Sequence, residues 1–228
     1  MGTDITLTAD DGHGLGAYRA DPGGAPKGGI VVIQEIFGVN VHIREVCDGF
    51  AADGYLAVAP ALYDRSSVKD CNLGYTPDDI AIGRDLRDEF SWDDTVLDIK
   101  AAVDLLHDGG LKVGTVGYCW GGTISYLAGV RLPIDAAVVY YGGQIMPYVE
   151  ERENCPLLMH FGERDQGIPL SDVEAIGKAH PEAEIHIYDA DHGFNCDHRG
   201  AHDAAAASQA RQRTMALFAR QLGHTSRP

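Results

Sequence analysis

The stretch Val113-Gly-Thr-Val-Gly-Tyr-Cys-Trp-Gly-Gly-Thr123 limits what this chain can fold into more than any other. The apolar run from Val113 to Tyr118 reads as a buried strand, and Gly122-Thr-Ile-Ser-Tyr-Leu-Ala reads as a helix. Between them Cys119 stands with a glycine two positions before it and another two positions after. Strand, sharp turn and helix around a nucleophilic side chain is the layout of a nucleophile elbow, with cysteine in place of the usual serine. The glycines have a steric reason, because a strained turn leaves no room for a flanking Cβ. Such a turn lifts the sulfur above the sheet edge, at a helix N-terminus whose dipole favours a thiolate. Taken alone, the five residues favour a buried, inert cysteine. A base and an orienting acid must follow in the right order to decide for chemistry.

Both follow. Strand-like runs alternate with helical ones: Gly29–Glu35 then Val41–Ala52, Tyr55–Pro60, helices over 80–90 and 91–107, Val113–Tyr118, Ile134–Tyr141, Leu157–Gly162, a helix over 173–180, Glu184–Asp189, and a closing helix over 201–222. That alternation predicts βαβ units and a mostly parallel sheet with helices on both faces. A hairpin of edge strands from Ile5 to Tyr18 precedes it. Residues 62–80 are polar and irregular and read as a long loop over the strand ends. No linker or repeat divides the chain, so residues 1–228 are expected to form a single domain.

In such sheets the chemistry lies past the carboxyl ends of strands. Past the 157–162 strand comes Gly162-Glu-Arg-Asp165, and past the 184–189 strand comes His192-Gly-Phe194. Nucleophile, acid, histidine is the chain order of an α/β-hydrolase triad. Cys119 would attack a carbonyl, His192 would carry the proton and Asp165 would hold the imidazole. Glu163, Asp189 and Asp191 are rival acids. Asp165 is preferred because its turn directly follows its strand. His186 is mid-strand and is expected to pack or face solvent. His198 and His202, near Cys196, match no familiar metal spacing and read as a solvated helix start. After the 29–35 strand, the backbone N–H of Ile36 is expected to pair with that of Trp120 as an oxyanion hole. Glu35, at a buried strand end, needs a partner. That partner is either a nearby arginine or lysine, or the Cys119 thiol.

Composition excludes several classes. The formal charge of −16, from 34 acidic against 18 basic residues, argues against nucleic acid or an anionic membrane as partner. An anionic substrate would then need a local cationic pocket. Five scattered cysteines without a Cys-x-x-Cys pair make neither a disulfide framework nor a zinc ribbon. The amino-terminal residues resemble no secretory signal, and no apolar run is long enough to span a bilayer, so a cytoplasmic setting is expected.

With Gln34-Glu-Ile-Phe-Gly38, Gly117-Tyr-Cys-Trp-Gly-Gly122, Tyr140-Tyr-Gly142, Gly162-Glu-Arg-Asp165 and His192-Gly-Phe194 together, the chain resembles the dienelactone hydrolase family from about Ile5 to about Leu222. The resemblance implies an α/β-hydrolase fold, a Cys119–His192–Asp165 triad, an acyl-thioester intermediate, and no cofactor or metal. It implies that Glu35 partners the resting thiol until substrate displaces it. The substrates implied are carboxylate-bearing enol-lactones of aromatic degradation, taken by a monomer or weak homodimer. A general carboxylesterase or thioesterase, or a non-catalytic thiol sensor on the same fold, are the alternatives. The pocket departs from the family pattern. Where an arginine is expected shortly after the histidine stands Cys196, and the nearest arginine is Arg199. Phe37, Arg84, Arg87 and Arg199 are the residues expected to meet the substrate.

Overall fold

The computed structural model describes residues 2–69 and 71–223; Met1, Asp70 and residues 224–228 lie outside them. Eight strands form one sheet in the order β1-β2-β4-β3-β5-β6-β7-β8, with β1 Thr3–Thr8, β2 Gly14–Ala20, β3 Gly29–Ile33, β4 Leu56–Pro60, β5 Val113–Tyr118, β6 Ala136–Tyr140, β7 Leu157–Gly162 and β8 Glu184–Tyr188. The β1–β2 hairpin and its junction with β4 are antiparallel, and every pairing from β4 to β8 is parallel. β3, β4, β5, β6 and β7 are buried along their whole length, which is why they read as continuous apolar runs and not as alternating ones. β8 is half-exposed and forms the far edge.

Among the described residues six α-helices cover the sheet: α1 Val41–Ala52, α2 Pro77–Arg87, α3 Trp92–Asp108, α4 Trp120–Arg131, α5 Leu170–Ala179 and α6 Ala204–Leu222. Phe50 of α1 packs edge-on against Phe218 of α6, 5.9 Å between centroids, so these two share a face. Leu106 of α3 packs over Gly29 and Phe218 of α6 over Gly114. Gly29 pairs with Val113, whose neighbour Gly114 points to the opposite side, so α3 and α6 lie on opposite faces.

The helix starts follow local chemistry. Ser91 and Asp94 form a capping box at α3. Thr76 and Asp79 form a second one at α2, with Pro77 at the first helical position. The expected loop over 62–80 is therefore shorter than read. Its first residues, Leu62–Arg65, make a buried turn of 3-10 helix, and α2 begins three residues early. Arg65 grips the fully buried Asp98 of α3 with two bonds of 2.8 Å, which ties this segment to the sheet's cover. Among the described residues no helix is long and apolar enough to cross a membrane.

Candidate active site

Four parallel strands end at one cleft. β5 runs into Cys119, which has φ 56° and ψ −116° and serves as N-cap of α4. No β-carbon would fit at the flanking glycines. A Cβ at Gly117 would lie 1.8 Å from the Gly121 carbonyl oxygen, and one at Gly121 would lie 2.4 Å from that of Gln34. The Cys119 N–H donates to the Tyr140 carbonyl at 3.0 Å, and its own carbonyl accepts the Gly122 N–H at 2.9 Å. The turn is thus pinned to β6 on one side and to its helix on the other. Trp120, in the first turn of α4, has no intrahelical partner for its N–H.

β7 runs into Asp165, whose side chain is 1% exposed. Its Oδ1 accepts the Gly167 N–H at 2.9 Å and its Oδ2 meets His192 Nδ1 at 2.6 Å, so both oxygens are held. Of the rival acids, Asp189 and Asp191 pair with Arg164 rather than with His192. His192 follows β8, with its ring 5.0 Å from that of Tyr141. Burial pulls its pKa down, but the Cys119 sulfur, by charge and hydrogen bonding, and the Asp165 carboxylate outweigh burial and raise it to about 10. With Nδ1 committed to Asp165, Nε2 is the nitrogen left for the sulfur.

β3 runs into Glu35, which is 1% exposed. Its carboxylate accepts a 2.9 Å bond from Arg199 Nη1, the kind of cationic partner a buried carboxylate needs. Arg199 also stacks over the Phe37 ring, 5.6 Å from its centroid. Gly193, at φ 83°, makes this possible: a Cβ there would sit 2.5 Å from Arg199 Nη1. The Ile36 carbonyl lies 3.0 Å from the buried Tyr63 hydroxyl, which fixes the loop bearing the Ile36 N–H.

A cleft of about 480 Å³ joins these groups. Cys119, His192, Asp165, Ile36, Trp120, Phe37, Arg84, Arg87 and Arg199 all line it; Glu35 sits behind, reached through Arg199. Arg84 and Arg87, one turn apart on α2, enter from the same side. Arg87 is paired with Asp88 at 2.8 Å, whereas Arg84 has no ion-pair partner among the described residues. Sequence reasoning missed Arg164, which also lines the cleft although it adjoins Asp165 in the Gly162-Glu-Arg-Asp165 motif.

The remaining candidates lie outside the cleft. His186 stacks on buried His160 across the β7–β8 pair, 6.0 Å between centroids. Burial, then His186 and Arg213, push His160 down to about 3. Burial likewise pushes the Cys155 thiol up to about 12 and Cys196 up to about 11. His198 and His202 lie in the loop before α6, not at its start.

Residues 15–222 match the family model of the dienelactone hydrolase family. A protein of Synechocystis sp. named "putative carboxymethylenebutenolidase" is 36% identical over 231 residues, spanning 91% of this chain and 92% of its own. The carboxymethylenebutenolidase of Pseudomonas putida is 32% identical over 228 residues, spanning 94% and 95%. A crystal structure from Klebsiella pneumoniae, described as a "putative dienelactone hydrolase", superposes with a TM-score of 0.82 at 30% identity, covering 96% of this chain and 99% of that one.

Proposed function

The chain belongs to the dienelactone hydrolase family, a family of ester and lactone hydrolases, and from that premise we propose that it cleaves its substrate through a Cys119–His192–Asp165 triad. One observation carries the reading. The imidazole of His192 is held on Nδ1 by Asp165 at 2.6 Å and shares with Cys119 the wall of a cleft wide enough for a small lactone.

The steps follow from that arrangement. His192 takes the thiol proton, and the imidazolium is the charge partner of the thiolate. The sulfur adds to the substrate carbonyl carbon. The negative oxygen faces the N–H groups of Ile36 and Trp120. The carbon–oxygen bond of the ester breaks, His192 protonates the departing oxygen, and an acyl-thioester remains; in a lactone the departing oxygen stays tethered. Water then gives a proton to His192, adds to the thioester, and expels the sulfur, which regains the proton. Asp165 keeps the ring in one tautomer throughout.

The substrate class is read from charge. Four arginines line the cleft, and Arg84 is free of protein partners among the described residues. A carboxylate-bearing lactone of the dienelactone type satisfies such a wall better than a neutral ester does.

The experiment compares a dienelactone with p-nitrophenyl acetate, using wild type and Cys119→Ala. Wild type is expected to favour the dienelactone in kcat/KM, and Cys119→Ala to lose both activities while staying folded. Mass spectrometry of the quenched wild-type reaction should record an acyl adduct on Cys119. Turnover that persists in Cys119→Ala would remove the cysteine as nucleophile. A preference for the neutral ester would remove the carboxylate subsite.

A further inference from the structure

On the α1 side of the molecule, clear of the catalytic cleft, four metal-ligating side chains converge: His42, Glu45, Asp197 and His198. We propose that they bind a divalent transition metal of the zinc class, clamping the loop that carries His192 and Arg199 against α1. Their donor atoms lie within 4.8 Å of one another, the one such grouping among the described residues. His42 and Glu45 are three apart on one face of α1. Asp197 and His198 are consecutive in the loop between β8 and α6. None of the four lines the cleft around Cys119, and three of them line a separate surface hollow.

The distances suit the ion. Zinc holds imidazole nitrogen and carboxylate oxygen at about 2.0–2.2 Å, which sets roughly 3.3–3.6 Å between neighbouring donors in a tetrahedron. His42 Nδ1 stands 3.4 Å from Asp197 Oδ1, and His198 Nε2 stands 3.8 Å from the same oxygen. A third pair, His198 Nε2 and Glu45 Oε2, is closer at 2.6 Å because they share a proton. An ion entering the site displaces that proton and separates the two.

His42 supplies the independent pointer. Its side chain is only 5% exposed, and the Nδ1 it turns to Asp197 comes no nearer than 3.4 Å to that carboxylate. A ligating nitrogen this buried and this loosely held leaves space for an ion beside it. Its ring leans on Tyr118 at 6.3 Å and on His198 at 5.6 Å, so it is fixed in place as one rigid ligand. The other three are exposed and within reach of an ion arriving from water. Two ligands on α1 and two on the loop mean that the ion crosslinks them.

The test uses the full chain stripped of metal with a chelator and then dialysed. Co2+ is added and followed by absorption, and Zn2+ is added and followed by calorimetry and thermal unfolding. The expected result is one equivalent of Co2+ with visible d–d bands and no thiolate charge-transfer band, and a higher Tm with Zn2+. His198→Gln and Glu45→Gln are surface changes that leave the fold intact, and each is expected to weaken affinity by at least about tenfold and to abolish the Tm gain. Binding that is unchanged in both variants, no binding at all, or a spectrum dominated by thiolate charge transfer would overturn the proposal. None of these readouts depends on hydrolysis.

Discussion

Replacing Cys119 by glycine is expected to leave a more stable protein than replacing it by alanine, the reverse of the usual order. The reason is the backbone at φ 56° and ψ −116°. These angles are those of the first central residue of a type II′ turn, a position dominated by glycine. They lie outside the left-handed pocket that other residues visit. Holding a Cβ-bearing residue there costs of order 1–3 kcal/mol, and a site so far from any allowed basin belongs in the upper part of that range. Glycine removes the strain but loses about 0.5–1 kcal/mol through its freer unfolded chain. The net advantage over alanine is about 1–2 kcal/mol. At about 2–4 °C per kcal/mol for a chain of this size, that is roughly 2–8 °C in Tm. Differential scanning calorimetry on both variants measures it, with Ala216→Gly as control. Ala216 is exposed in the interior of α6, where the same change should cost about 1 kcal/mol. Equal stability of the two Cys119 variants, or an advantage for alanine, would mean that the turn relaxes. The claim that the elbow stores strain to present its sulfur would then fail.

The other predictions concern charge. His192, raised to about 10 in the fold against an ordinary 6.5, contributes stability that is complete below about pH 6.5 and is lost as pH climbs through about 10. Wild type should therefore lose stability across pH 7–10 more steeply than His192→Gln, and an NMR titration should place the His192 midpoint lower in Cys119→Ala than in wild type; coincident curves would contradict the coupling. Arg199→Ala leaves the Glu35 carboxylate buried without a partner and should cost about 3–5 kcal/mol in urea unfolding, with part of it recovered in the Arg199→Ala, Glu35→Gln double variant. Strictly additive losses would rule out the pair. Arg84→Gln should raise KM for a carboxylate-bearing lactone roughly tenfold or more, the weight of one charged hydrogen bond, and leave p-nitrophenyl acetate hydrolysis unchanged; an equal effect on both substrates would count against a carboxylate at Arg84.

What was legible in the sequence was what local chemistry writes down. The buried parallel strands are continuous apolar runs, and the elbow glycines sit where a Cβ would strike a carbonyl. Asp165 and His192 each stand a few residues past a strand, so their meeting follows from topology. The start of α2 was written too, in Thr76, Pro77 and Asp79, but the polar run around it masked the capping box. What stayed hidden depends on pairs far apart in the chain. Glu35 and Arg199 are 164 positions apart, and their contact needs the empty space beside Gly193. His42 and His198 meet only because α1 and the loop after β8 pack on the same side, so no spacing rule could join them.

The charge of the whole molecule sharpens what the cleft is for. A chain with a formal charge of −16 repels anions at long range, yet four arginines against two aspartates line the cleft. Concentrating cations there works against the rest of the composition and leaves long polar side chains to be held in place. Three of the four are held by carboxylates: Asp88 on Arg87, Asp189 and Asp191 on Arg164, and Glu35 on Arg199. These partners neutralise the resting site without filling it. Arg84 is the exception and so the first cation a substrate carboxylate can engage at no loss of an existing bond. With long-range steering unfavourable, recognition falls to contact inside the cleft, where charge is screened less. On this view added salt should speed capture of an anionic lactone by wild type, because it weakens the repulsion of the surface more than the attraction of the cleft. A neutral ester should show no such dependence. An anionic substrate whose kcat/KM falls with salt would instead mean that the field of the arginines reaches beyond the cleft and dominates the approach.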